Sequence, residues 1–260
     1  MKATFNCPHK CLRLWGTAAV CLLLGFAGAR VLADSLDDSP LAAYARSRHL
    51  AARRQYEADT VNPTNAAQLA CTCYDAANFA TNRAEHASLA REGIAICRKA
   101  IAGHPKYAPA HYYLAMNLGE LAQAEAPSLA AYRLVHEVER EFKTAAELDV
   151  NLDYAGPARN LGELYFQAPG WPFSIGSKWK AREWLARAAA LAPEYPENLL
   201  NLAEAQLQWS EPKSFAATIK NLDARWPAAR TNFAGAAWER SWLDWNARRA
   251  ALLPAPKRAP

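Results

Sequence analysis

A tetrapeptide recurs along the chain at nearly constant spacing. Asn-Leu-Gly-Glu occupies residues 117–120 and recurs at 160–163, and the variant Asn-Leu-Ala-Glu occupies residues 201–204. A repeat length of about 41 to 43 residues is typical of chains in which copies of one small structural unit stack on each other.

Each unit contains two helices. Apolar residues recur at intervals of three and four through most of the chain, which is the stripe of a half-buried α-helix. A second marker, Ala145 and Ala188, follows Gly119 and Gly162 at the same distance along the chain. Since one helical hairpin cannot bury its apolar face alone, the sequence predicts an all-α fold, an α-solenoid of TPR-like hairpins with extended repeats of about 41 to 43 residues.

Proline and small polar residues mark the predicted helix ends. Three sites combine an N-cap residue with an early proline: Ser39-Pro40, Asn62-Pro63 and Ser210-Glu211-Pro212. Three further prolines are predicted to follow helix ends: Pro105, Pro193 and Pro227. A hairpin is expected to turn near Asn82.

The N-terminal segment, at positions 1–33, has the pattern of a secretory signal. A basic start precedes an apolar run at positions 14–29, and small residues favour a cut after Ala33. The alternative is a retained membrane anchor; Cys21 is poorly placed for a lipoprotein cut. We therefore predict a periplasmic protein with a signal peptide at 1–33, a repeat domain at 34–253 and a disordered tail at 254–260.

Removal of the signal would leave a nearly neutral chain. The segment 1–33 holds four of the 30 basic residues and none of the 25 acidic ones, so the two kinds of charge almost balance in the remainder. A protein that binds nucleic acid needs a basic face. The balance of charge therefore argues against a nucleic-acid partner.

Three cysteines remain after the predicted cut: Cys71, Cys73 and Cys97. Cys71 and Cys73 are two positions apart on a predicted helix and point to different sides, so they should not bridge each other. In an oxidising compartment either could pair with Cys97, and three buried thiols are the alternative. Metal binding is disfavoured because no fourth ligand has zinc-like spacing. No metal site and no cofactor are predicted.

The second of these units resembles a tetratricopeptide (TPR) repeat. Leu161-Gly162 and Tyr165, followed by Leu185 and Ala188, resemble the small and large packing positions of that family, in a unit longer than the roughly 34 residues usual there. The segment 111–207, with the stretches YYLAMNLGEL and AGPARNLGELY, is similar to the T component associated with TRAP transporters. That resemblance implies an exported, trimeric repeat protein that partners a periplasmic solute-binding component. The lipoprotein cysteine of that family has no counterpart here.

The repeated tag predicts a polar ladder. Asparagine and glutamate three positions apart share a helix face, and in TPR-like stacking the first helix of each hairpin lines the concave surface. Amides can bind an extended peptide backbone, and a carboxylate row favours a cationic partner. The alternative is that these residues solvate a helix face or brace neighbouring repeats. The predicted concave-face residues are Met116, Asn117, Glu120, Arg159, Asn160, Glu163, Leu200, Asn201 and Glu204.

Two groups of aromatic residues stand out. Trp238, Trp242 and Trp245 form one helical stripe, which favours core packing over a subunit contact. The segment 167–178 has Gly-Ser-Lys in the wrong order for a phosphate loop and is interpreted as a turn between two helices. In that turn Trp171 and Phe173 are expected to pin the loop to its hairpin, or to form the rim of a ligand groove.

No pattern of nucleophile and base, or of paired catalytic carboxylates, appears in the sequence. The chain is therefore predicted not to be an enzyme. The resemblance favours a scaffold that binds a protein. The alternatives are a carrier that holds an apolar small molecule or organic acid between its helices, and a purely structural periplasmic protein.

Overall fold

The computed structural model describes residues 40–126 and 128–253, which form ten α-helices and a short 3-10 turn at Ala236–Trp238. The helices are α1 (Pro40–Ala58), α2 (Pro63–Ala77), α3 (Arg83–Gly103), α4 (Ala108–Glu125), α5 (Leu129–Leu148), α6 (Leu152–Gln167), α7 (Lys178–Leu191), α8 (Pro196–Gln208), α9 (Pro212–Asn232) and α10 (Glu239–Leu252). No helix within these ranges has the length and apolar character needed to cross a membrane. The predicted signal peptide and tail lie outside the described residues.

The helices pack as consecutive hairpins. The pairs α2/α3, α4/α5, α6/α7 and α8/α9 are each antiparallel neighbours, and the first helices α2, α4, α6 and α8 also contact each other in order. The three tags lie on α4, α6 and α8, which are first helices. The predicted all-α architecture of stacked hairpins is confirmed.

Side-chain caps begin several of the helices, among them the predicted cap at Asn62. Asn62 accepts a hydrogen bond from the backbone N–H of Thr64 at 2.9 Å, and Asn82 accepts one from Glu85 at 2.9 Å. Ser177 caps α7. These side chains satisfy backbone donors that have no partner within their own helix.

The helix end predicted before Pro227 is wrong. Helix α9 continues through this proline to Asn232. The added turn brings Ala229 into the C-terminal core and ends the helix at Phe233, which is also buried there. Burial of these apolar side chains offsets the hydrogen bond that proline removes from the helix.

The glycine of the tag allows a close approach between paired helices. A Cβ atom on Gly162 would lie 2.6 Å from Leu185 Cδ2 and 2.9 Å from its backbone nitrogen. Helices α6 and α7 could not keep this separation with a larger residue. This role agrees with the small packing position expected of a TPR-like hairpin.

Helix α10 folds back onto the first helices. Trp238, Trp242 and Trp245 are buried, with 9%, 8% and 1% of their surface exposed, so the core-packing interpretation of this stripe is confirmed. At one end Trp238 packs against Tyr154 of α6. The guanidinium of Arg240 lies 4.1 Å from the ring centre of Phe79, just after α2. Helix α10 therefore lies across the face that the first helices form.

Candidate functional sites

The predicted concave ladder is buried, so the hypothesis of an exposed binding face is wrong. Asn117 and Asn160 are 0% exposed and Asn201 is 1% exposed. Glu204 alone among the ladder residues keeps substantial contact with solvent. The first helices pack on each other, and α10 covers the face that was expected to be open. The remaining predicted residues are also buried: Met116, Glu120, Arg159, Glu163 and Leu200.

The asparagines of α4 and α6 brace consecutive hairpins. The Asn117 amide donates to the backbone carbonyl of Ala70 in α2 at 2.9 Å. The Asn160 amide donates to the hydroxyl of Tyr112 in α4 at 3.1 Å. Each amide also donates to a carbonyl four positions earlier in its own helix. The bracing alternative therefore describes these two residues.

The third copy of the tag meets a cation from the same chain. Arg248 of α10 donates to the side-chain oxygen of Asn201 and to both carboxylate oxygens of Glu204, the latter at 2.7 and 2.9 Å. Its guanidinium also lies 3.6 Å from Glu197. The sequence predicted that a carboxylate row would favour a cationic partner. In the structure that partner is Arg248.

Glu163 is buried among the other groups of this inner face. Gln167 donates to its Oε2, while its Oε1 is buried without a hydrogen-bond partner. Burial raises the pKa of Glu163 to about 7, opposed by Arg248 and reinforced by Glu204. This carboxyl group therefore changes protonation near neutral pH.

A buried ion pair joins three of the hairpins. Arg159 is fully buried, and its Nη2 lies 2.8 Å from Asp153 Oδ2. Tyr112 of α4 donates its hydroxyl to the same carboxylate at 2.7 Å. On the other side Arg159 donates to Asn198 of α8 at 3.3 Å and lies over the ring of Tyr195. The side chain predicted to line a groove is instead at the centre of the fold.

This ion pair holds an unusual turn at the beginning of α6. Asp153, Tyr154 and Ala155 have φ values of 49°, 54° and 63°, in the left-handed region that disfavours residues with a Cβ. Arg159 Nη1 donates to the carbonyls of Asp153 and Tyr154, both at 3.1 Å. The sequence gives no sign of this turn, because side chains from other parts of the fold support it.

The segment between α6 and α7 is held by backbone contacts. The Gly176 N–H donates to the Pro169 carbonyl at 2.9 Å, and the Ser177 N–H donates to the Tyr165 carbonyl at 3.0 Å. A Cβ atom on Gly176 would lie 2.0 Å from the Ala168 carbonyl oxygen. Only glycine allows the two arms of this loop to approach so closely. The loop is therefore a defined turn, as predicted.

The aromatic residues of this turn point into solvent. Trp171 is 89% exposed, Phe173 is 77% exposed, and Trp179 in the first turn of α7 is 68% exposed. The expectation that Trp171 and Phe173 pin the loop is wrong, because the backbone contacts and the half-buried Ile175 hold it instead. We call Trp171, Phe173 and Trp179 the aromatic loop surface.

Basic residues lie beside the aromatic loop surface. Lys178, Lys180 and Arg182 occupy the first turns of α7, and their side chains are 52%, 43% and 46% exposed. Lys178 and Arg182 both lie over the ring of Trp209 and near Glu211. The surface thus combines exposed aromatic rings with a basic border.

The predicted disulfides of Cys97 are wrong. Cys73 and Cys97 are free and buried, so Cys97 pairs with neither Cys71 nor Cys73. Cys97 packs in the main core of the first hairpins, and Cys73 packs in a separate small cluster with Ala52 and Ile96. Burial raises the pKa of both free thiols well above the usual value.

Three metal-ligating side chains meet near Cys73. One ligand atom from each of His49, Cys73 and Glu92 lies within 4.8 Å of the other two. The residues come from α1, α2 and α3. No sequence motif marks this group, because its members lie on three separate helices.

The described residues also form two recesses beside α10. One, of about 50 Å³, lies between α1, α2 and α10 and is lined in part by Tyr44, Arg48 and Arg240. This volume is far below the roughly 300 Å³ or more that is typical of sites for small organic ligands. The other is open, has about 540 Å³, and is lined in part by Phe233 and Trp242.

Comparison with known proteins identifies the fold. No protein-family profile matches the chain, and no curated protein matches its sequence. The crystal structure of TTC0263, a thermophilic TPR protein of Thermus thermophilus, is similar with a TM-score of 0.56 and 19% identity. The match covers 81% of this chain and 93% of that chain. The chain is a TPR-like, all-helical repeat protein.

Proposed function

We propose that this chain is a protein-binding scaffold that docks its partner through the aromatic loop surface. The observation that carries the proposal is the exposure of Trp171 and Phe173 on a turn held by backbone hydrogen bonds, and of Trp179 where α7 begins. Tryptophan in particular supplies large binding energies when a partner buries it, and a fixed turn limits the entropy lost on binding. Three large aromatic side chains exposed on one short segment favour a partner over a purely structural role.

The inner face is a poor alternative for docking. Its amides already donate to neighbouring helices, and Arg248 already pairs with the acids of α8. A partner would have to displace α10 together with its buried tryptophans. The aromatic loop surface requires no such rearrangement.

The partner we propose is the periplasmic solute-binding component of a TRAP-type uptake system. This finer assignment rests on the resemblance of the segment 111–207 to the T component of such systems and on the export signal predicted at 1–33. The same resemblance favours a trimer. The basic border at Lys178 and Lys180 favours an acidic rim around the apolar contact on the partner.

The docking surface is tested with a double substitution, Trp171→Ala with Phe173→Ala. We expect binding of the partner to weaken at least about tenfold, since truncation of an interface aromatic commonly costs more than about 1 kcal/mol. The matched control is Val61→Ala, a 76% exposed apolar residue in the loop before α2, which should leave affinity unchanged. Calorimetric titration measures both. Equal affinity of the double variant and the control would contradict this docking surface.

The identity of the partner is tested separately. Purified mature protein is titrated with TRAP solute-binding proteins and, as a comparison, with a solute-binding protein of an ABC-type system. Binding to the TRAP protein alone supports the finer assignment, and binding to neither removes it while leaving the scaffold proposal open to other partners. Light scattering after size exclusion gives the mass of the assembly and tests the trimer.

A carrier of an apolar small molecule or organic acid is a second candidate. The observation that favours it is the open recess of about 540 Å³ beside Phe233 and Trp242, with Arg230 on its lining as a partner for a carboxylate. Native mass spectrometry of the purified protein tests this function through a co-purified ligand. Leu243→Asp, a change at an exposed lining residue, should abolish retention of such a ligand.

A further inference from the structure

We propose that His49, Cys73 and Glu92 form a zinc site between α1, α2 and α3. The three side chains supply nitrogen, sulfur and oxygen, with their ligand atoms within 4.8 Å of one another. Three ligands of these types with one open position are typical of zinc, which binds sulfur at about 2.3 Å and nitrogen or oxygen at about 2.0 to 2.2 Å. Tetrahedral closure from this arrangement needs movements of about 1 Å or less.

A cation already occupies the position between two of the ligands. Arg53 Nη2 lies 3.0 Å from His49 Nε2 and 2.8 and 2.7 Å from the two oxygens of Glu92. Because a guanidinium can only donate hydrogen bonds, His49 Nε2 and Glu92 both present lone pairs to this point. These are the lone pairs that a metal ion would use.

A metal ion can replace Arg53 at this position. Its side chain is 41% exposed, and its buried Nε has no hydrogen-bond partner. Arg53 can therefore swing into solvent and recover full hydration when another cation arrives. Two of the ligands cannot leave in the same way, since Cys73 is 0% and His49 is 7% exposed.

Thr72 favours the tautomer of His49 that metal binding through Nε2 requires. The Thr72 hydroxyl donates to the Leu69 carbonyl at 2.9 Å, so its oxygen can accept from His49 Nδ1, 3.4 Å away. A proton on Nδ1 leaves Nε2 unprotonated. Hydrogen bonds of this kind orient metal-bound histidines in known sites.

Binding of Zn²⁺ releases one proton from the protein. The Cys73 S–H bond breaks, the proton passes to solvent, and the sulfur lone pair bonds to Zn²⁺. The thiolate and the Glu92 carboxylate neutralise the two charges of the ion, and water occupies the open position. Arg53 leaves Glu92 and carries its charge into solvent.

Cobalt(II) is the probe, because a cobalt–thiolate bond gives an absorption band that reports sulfur ligation. Full-length mature protein, freed of metal, is titrated with Co²⁺ and then with Zn²⁺ as competitor. We expect one equivalent of Co²⁺ to give the thiolate band and Zn²⁺ to remove it. Cys73→Ala should abolish the band, and the matched change Cys97→Ala, at a buried free thiol outside the group, should preserve it.

A second variant keeps the proposal testable if Cys73→Ala fails to fold. Arg53→Gln removes the competing cation from a half-exposed position and should tighten metal binding about tenfold, because the metal ion no longer has to displace a guanidinium that is hydrogen-bonded to His49 and Glu92. The control Arg54→Gln, at the exposed neighbouring position, should not change it. Absence of a thiolate band in both the natural protein and Arg53→Gln, or unchanged affinity in Arg53→Gln, would overturn the site.

Discussion

Nearly the same tetrapeptide lies on α4, α6 and α8, but its asparagine contacts a different part of the molecule in α8 than in the other two helices. Asn117 and Asn160 each donate to the first helix of the preceding hairpin. Asn201 instead accepts from Arg248 of α10. In α8 the contact with the preceding hairpin passes to Asn198, which donates to the Tyr154 carbonyl at 3.0 Å.

The difference shows how the end of a repeat array changes the use of a repeated residue. Inside the array each first helix lies between two others, so a buried amide finds its partner on a neighbouring repeat. Helix α8 is the first helix of the last hairpin. No further hairpin follows it among the described residues, and α10 covers it instead. Terminal repeats need such a cap because their outer apolar face has no neighbour to bury it.

The largest effect is expected when Arg159, the cation between the repeats, is replaced. Arg159→Met should lower the free energy of unfolding by about 4 kcal/mol, because it leaves the buried Asp153 without its ion pair. Urea unfolding followed by circular dichroism measures the loss. The control Arg140→Met, at a side chain that is 64% exposed, should cost less than about 1 kcal/mol, since Glu141 keeps its contact with His111. Equal losses would remove the distinction between repeat and surface contacts.

Substitution of the cap cation should have a somewhat smaller effect. Arg248→Met should cost about 3 kcal/mol, since it leaves Glu197 and Asn201 buried without their cation while Glu204 can turn toward solvent. Helix α10 should also become sensitive to limited proteolysis before the rest of the chain unfolds. Arg249→Met, the neighbouring residue in a more exposed pair with Asp223, is the control. Simultaneous proteolysis of all helices would contradict a separate cap.

The inner acids should also make stability depend on pH. The pKa of Glu163 is raised from 4.5 to about 7, so between these pH values the folded state keeps a proton that the unfolded state has lost. Stability should therefore fall as pH rises through this window, by about 2 to 3 kcal/mol. Glu163→Gln should flatten that part of the profile, and Glu183→Gln, at an exposed position on α7, should not. A profile of Glu163→Gln that follows the natural protein would refute the shift.

The smallest of these effects concerns the amide brace between α2 and α4. Asn117→Ala should cost about 1 to 2 kcal/mol, because the Ala70 carbonyl loses its side-chain donor and a space opens beside Gly93. The control is Asn221→Ala, whose side chain accepts from an exposed arginine. Unfolding in urea measures both variants. Equal stability of the two would mean that the amide does not brace the repeats.

Much of the fold could be predicted because its signals are local. The intervals of three and four, the constant distance from tag to second helix, the cap at Asn62 and the turn near Asn82 all act within one helix or one hairpin. Gly162 could be assigned to a close contact for the same reason. Pro227 is the exception, since distant burial of Ala229 and Phe233 decided the length of α9.

The site residues could not be placed from the sequence because their exposure depends on distant parts of the chain. Whether the face of Asn201 is open or covered is decided by α10, much later in the sequence. The grouping of His49 with Cys73 likewise requires α1 to pack on α2. For Trp171, backbone hydrogen bonds made the anchoring role unnecessary and left the ring in solvent. None of these outcomes leaves a periodic or motif signal.

The return of α10 across the first helices has a consequence for mapping experiments. A fragment that stops before Glu239 would present Glu197, Glu204 and uncovered aromatic surface around Tyr195 to the medium. Such a fragment should bind arginine-rich peptides that do not bind the intact chain. Interaction screens with shortened forms would then detect peptides bound at the position that Arg248 occupies in the intact chain, rather than the proposed partner. The intact protein should therefore be used as bait.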